Sequence, residues 1–123
     1  MILESVLQNI LADLIDSEIN TGGGTSNLKF ETSGDAEVAT IDFQATAFDA
    51  ASSGVITLQG VPLSDTSATG GETVQASVFD KDGTKQFELT VGTSGTEIII
   101  SSTTVVATDQ VDLTALTITV PAS

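Results

Sequence analysis

The sequence predicts a mainly β fold, an antiparallel β-sandwich of the jelly-roll kind preceded by one N-terminal amphipathic helix. Three observations carry that prediction. After residue 27, apolar and polar residues alternate in short runs, the period of a strand with one buried face. Gly-, Ser- and Thr-rich turns separate the runs. A helical period occurs once only, at the start of the chain, so strands follow strands and the layers must be sheet on sheet. The 123 residues divide into a helix in 1–20, a Gly-rich linker in 21–26 and a β-sandwich domain in 27–123.

Residues 2–16 (ILESVLQNILADLID) form the predicted helix. Ile2, Leu3, Val6, Leu7, Ile10, Leu11, Leu14 and Ile15 recur at helical spacing, and Glu4 falls in the first turn, where a negative charge is favourable. At about 100° per residue these side chains sweep an arc of roughly 220°. A helix lying on its own domain needs a stripe of only about 100°. The surplus implies two burial partners, the sheet on one side and another subunit on the other. Leu3, Val6, Leu7, Ile10, Leu11 and Leu14 are therefore the candidate interface residues. Whether the helix packs on its own domain or on a neighbour stays open. Asn20 and the run Thr21-Gly22-Gly23-Gly24-Thr25-Ser26 end it and read as a flexible link.

The strands follow in order. Leu28 and Phe30 alternate, and Ser33-Gly34-Asp35 turns the chain into a strand over 38–43. A loop of small residues (AFDAASSG, 47–54) leads to a strand at 55–58, and 60–71 is a long polar connection. The centre of the fold is the stretch 72–100. Val74, Ala76 and Val78 alternate before the turn Asp80-Lys81-Asp82-Gly83, and Phe87, Leu89 and Val91 alternate after it. A four-residue loop pairing Phe79 with Thr84 sets both apolar rows on one face; a three-residue loop would set the valines beside Gln86 and Glu88. Further strands are expected at 97–100, 104–107, 111–113 and 116–120, with Pro121 as the stop.

Composition removes several function classes. The chain has no cysteine, histidine, tryptophan, tyrosine or arginine. Disulfides, thiolate metal sites, the usual neutral-pH base and the bidentate anion clamp are therefore excluded. Catalysis would fall to carboxylates, hydroxyls and Lys29, Lys81 and Lys85, with no paired groups to shift each other's pKa. No enzyme activity, cofactor or metal is expected. Asp80 and Asp82 read as turn residues, because the further ligands and closing acid of a calcium loop do not follow them. A net charge of −14 repels nucleic acid and anionic membrane, and no apolar run is long enough to span a bilayer. No basic n-region of a secretory signal precedes the apolar residues.

Four segments together resemble a loosely conserved group of virion structural proteins of tailed bacteriophages and prophages. They are Ala47-Phe48 through Gly54-Val55, Asp80 to Gly83, Val91 to Gly95 (VGTSG), and Leu116 to Pro121 (LTITVP). Relatives often carry a bulky aromatic and an arginine in the strand before the hairpin, where this chain has Ala76-Ser77-Val78. The resemblance implies a virion protein, and more narrowly a capsid decoration or cement protein. Such a protein assembles in the host cytoplasm and sits as a homotrimer on the capsid exterior, with the major capsid protein as partner. The alternative is a tail, baseplate or receptor-binding component, for which the 60–71 connection is the candidate contact loop.

Overall fold

The computed structural model describes residues 1–122, a mainly β molecule with one N-terminal helix. Helix α1 spans Ser5–Ile19, one turn later than predicted at both ends. Its start is delayed because the chain before it is extended and the Leu3 N–H donates to Ala122 O at 2.6 Å. Glu4 becomes the N-cap instead of a first-turn residue. The helix continues past residue 16 because nothing in Ser17-Glu18 breaks it and Ile19 is fully buried. Asn20 ends it, with its N–H on Asp16 O.

Eleven strands follow: β1 Asn27–Glu31, β2 Glu37–Asp42, β3 Val55–Thr57, β4 Leu63–Asp65, β5 Gly71–Glu72, β6 Gln75–Phe79, β7 Lys85–Gly92, β8 Ile98–Ile99, β9 Thr104–Val105, β10 Val111–Leu113 and β11 Thr117–Thr119. They form one five-stranded sheet in the order β2-β1-β6-β7-β8 and three pairs, β10-β4, β11-β3 and β5-β9. All ladders are antiparallel except β7–β8, which is parallel, a departure from the expected pairing. The loop at 93–97 turns the chain back on itself and is fixed by side chains. The Glu97 carboxylate accepts the Thr90 N–H at 3.1 Å, and the Glu97 N–H donates to Thr90 Oγ1 at 3.0 Å. Strand β4 lies inside the segment read as connection. Its ladder with β10 and the bond from Thr40 N–H to Asp65 Oδ2 (2.9 Å) are long-range contacts that no local pattern announces.

The central hairpin corrects the predicted loop. Asp80 closes against Thr84 (N–H to O, 3.0 Å), leaving three residues between them. Phe79 pairs with Lys85, not Thr84. A bulge then shifts the register so that Val78 faces Phe87 and Ala76 faces Leu89. The common apolar face is kept, and the extra residue of a bulge supplies the parity that a longer loop would have given. Asp80 explains the short loop. Its Oδ1 accepts the N–H groups of Asp82 and Thr84, both at 2.9 Å, and its Oδ2 accepts Gln86 Nε2 at 3.0 Å. Val74 lies before β6 and is exposed, so it leaves the buried row.

The residues between helix and sheet are bound, where a free link was expected. Lys81 N–H donates to Thr21 O at 3.1 Å and Gly24 N–H to Lys81 O at 3.0 Å. Gly22, at φ +123°, passes so close to the hairpin that a Cβ would meet Asp82 Oδ1 at 2.5 Å. Only glycine fits there.

The core is buried on both faces of the five-stranded sheet, since the consecutive residues Val38-Ala39 and Ala76-Ser77-Val78 are all inaccessible. Phe30 lies at its centre, and Phe43 meets Phe48 edge to face at 5.9 Å. Ser77 Oγ donates to the buried Glu31 carboxylate, which also takes Gln75 Nε2. A carboxylate at that depth requires such partners. Phe30→Ala is expected to lower unfolding free energy by about 3–5 kcal/mol, and Ile99→Ala, at an exposed edge, by less than about 0.5 kcal/mol. Urea denaturation followed by circular dichroism checks both.

Candidate functional site

Helix α1 is docked by its polar side. Four short side chains at spacings of four, three and four residues reach the backbone of the 47–54 loop in reverse order. Asn9 Oδ1 accepts the Gly54 N–H at 2.8 Å, Asp13 Oδ1 the Ala51 N–H at 2.7 Å, Asp16 Oδ1 the Phe48 N–H at 3.0 Å and Asn20 Oδ1 the Ala47 N–H at 3.0 Å. Beside them Gln8 Nε2 donates to Val120 O at 2.9 Å. The ladder satisfies loop N–H groups that have no strand to bond to. Apolar contact with the core is limited to Ala12 and Ile19, fully buried, and Ile15, partly so.

The loop is shaped to receive the helix. Ser52 and Val55 exchange both backbone bonds across Ser53-Gly54, each with positive φ. A Cβ on Gly54 would lie 2.8 Å from Val120 O and 3.0 Å from Gln8 Cβ, so a glycine is required where loop, helix and last strand converge. Phe48 anchors the loop in the core and bridges to Leu58.

With Ala12, Ile15, Ile19 and the ladder on the docked side, the remaining apolar stripe faces solvent. Val6 is 70% exposed, Ile10 58%, Leu14 54% and Leu7 43%, while Leu3 and Leu11 are half-buried at the margin. Of the predicted interface residues, four thus stand free on one face and two border it. On a wheel at about 100° per residue the five that lie in α1 span roughly 140° and lie opposite the docked side, while Leu3 precedes the helix. Leu7, Ile10 and Leu14 follow the three-four spacing of a helix-packing seam, flanked by Val6 and Leu11. Asp13 and Asp16 belong to the docking ladder, and Glu18, on the same face as the stripe, lies one turn beyond Leu14 and marks its end. Such a surface can exclude water against another apolar face, and it carries no group for bond chemistry.

Sequence reasoning missed the ladder residues Asn9, Asp13, Asp16 and Asn20. A signal existed: short Asn and Asp side chains are unfavourable inside a helix and compete for backbone bonds. Four of them on one line, in a chain with a loop of small residues, mark a helix that binds backbone.

The carboxylates of Asp80 serve the hairpin turn, and among the described residues no three His, Cys, Asp or Glu side chains form a metal-binding group. No described helix is long and apolar enough to cross a membrane. The 60–71 connection folds as β4, a turn and β5. Comparison of the chain with protein-family models, with curated proteins and with solved structures gives no match.

Burial pushes the Asp16 carboxyl above the ordinary carboxylate value, against the opposing pull of its bonds from Phe48 and Asn20; Asp13 and Asp49 add repulsion. A raised folded pKa means stability that is present in acid and lost as pH rises through that value. Asp16→Asn keeps an acceptor and removes the charge, so it should equal or exceed the parent in stability at pH 7, the difference closing as pH falls through the carboxylate range. Asp16→Ala orphans the buried Phe48 N–H and should cost about 1–3 kcal/mol at pH 7. Thermal melts of the three chains across pH test the assignment.

Proposed function

We propose that this is a structural protein acting by association: copies join through the outward face of α1, and the assembled unit reinforces a larger shell. The observation that carries the reading is the orientation of the helix. Asn9, Asp13, Asp16 and Asn20 hold it to its own loop, which leaves Val6, Leu7, Ile10, Leu11 and Leu14 as an outward apolar stripe on a chain of net charge −14. Exposed apolar patches of this kind mark interaction sites. Each fully buried Leu or Ile contributes about 1.5–3 kcal/mol, so a handful of them can hold protomers together.

The partner we infer is first a second copy of the same helix, whose stripe is equally free of charge. With Val6 and Leu11 flanking the seam, the stripe is wider than two helices need, which supports a homotrimer. Repetition over many symmetric sites then multiplies weak contacts with an underlying lattice. The four segments that resemble phage virion proteins support a more specific proposal, a capsid decoration (cement) protein on the virion exterior that contacts the major capsid protein. The double-sided burial of the five-stranded sheet supports reading the β domain as a variant of a sandwich, with β3-β11 and β4-β10 contributing to the second layer.

Light scattering should give an oligomer for the parent chain at micromolar concentration. Leu7→Asp and Leu14→Asp should each give a monomer with unchanged β-rich circular dichroism. A monomeric parent chain overturns the reading. For the virion role, quantitative mass spectrometry of purified particles should find copy numbers matching the capsomers; a few copies per particle would assign a tail component instead.

A further inference from the structure

We infer that the slot between β8 and β10 receives an extended strand of a foreign polypeptide in which apolar and basic residues alternate. The order of elements around the molecule runs β2-β1-β6-β7-β8, then β10-β4, and β4 returns to β2 through Asp65 and Thr40. No ladder among the described residues joins β4 to β2, where the Asp65 carboxylate closes the seam, and none joins β8 to β10, where no such bond closes it. Among the described residues, β8 has a ladder on one side only, to β7, and β10 on one side only, to β4. Two free edges therefore face each other across a gap, which is the arrangement that strand addition completes.

The gap is an open cleft of about 370 Å³ that reaches down to Phe30, with Ile99, Ile100, Val105 and Val111 on its walls. It continues past Ile99 and Asp112 into a second depression of about 250 Å³ beside Glu97 and Thr114. The two together follow the length of both strands. Free edges are ordinarily guarded by Lys, Pro or a bulge. Here the edge is Glu97-Ile98-Ile99-Ile100, with Ile99 65% exposed, and Glu97 is turned back onto Thr90. The edge carries no Lys, Pro or bulge, and its one protection is the shortness of β8.

Charge selects the occupant. Asp109 and Asp112 stand on the rim, and neither Lys29, Lys81 nor Lys85 lines the cleft. Bonds from Ser64 and Gln110 hold the Asp112 carboxyl below its ordinary value, so it stays ionised. A second copy, itself at −14, would bring carboxylates against this rim. A segment with Lys or Arg at alternate positions would place them there while its apolar side chains, on the other face of the strand, enter the cleft. Self-association uses a separate surface, on α1, none of whose residues lines the cleft.

The test uses the full chain and a fluorescent synthetic peptide alternating valine with lysine and threonine, read by anisotropy. Saturable binding is expected, weakened about tenfold by the double substitution D109N and D112N, and unchanged in Leu7→Asp. The same peptide with N-methylated amides on alternate residues keeps its charge but cannot join a ladder, and it should not bind the parent chain. Equal binding of the methylated peptide, or no saturable binding of the plain one, overturns the inference. Because that comparison is made on the parent chain, it decides even where the double variant does not fold. Hydrogen exchange should slow at Ile99 and across Val111–Leu113 when the peptide is bound.

Discussion

Four side-chain oxygens along one line of α1 decide which way the helix faces, and the rest of the molecule depends on that choice. Were the helix held by its leucines, they would be spent on the core and the outer surface would be polar. Because Asn9, Asp13, Asp16 and Asn20 bind the 47–54 backbone, the leucines are released. The stabilisation per bond is modest, about 0.5–1.5 kcal/mol net. Geometry makes it decisive, since any rotation of the helix would orphan the loop N–H groups and bring Asp13 and Asp16 toward apolar ground.

Much of the β domain was legible because strand patterning is local. The alternations at 28–30, 38–43, 74–78, 87–91 and 116–120 all fall on strands or their immediate flanks, with Phe30, Ile41, Val78 and Leu89 buried as their spacing requires and Val74 exposed against it. Strand β4 was not legible, since Leu63-Ser64-Asp65 alternates too briefly and exists through partners far away in sequence. The parallel β7–β8 pairing was hidden for the same reason. In the hairpin the criterion of a shared apolar face was sound. The number of loop residues was not recoverable from it, because a bulge and a longer loop alter parity identically.

The helix shows a different limit. Periodicity located the apolar stripe and its surplus width, and the candidate interface residues do lie together on one side. What it could not supply was the sign of the orientation. A hydrophobic pattern says which residues share a face, and only the loop's backbone, with its unpaired donors, says that the opposite face is the one that docks.

One further consequence follows from how α1 is fastened. Its leading end is bonded to Ala122, its middle to the 47–54 loop and its trailing end, through Thr21 and Gly24, to the tip of the central hairpin. Traction on the exposed stripe thus enters the β domain at three separated points together. Removing the helix means breaking bonds to the end of the chain, to the loop and to the hairpin tip.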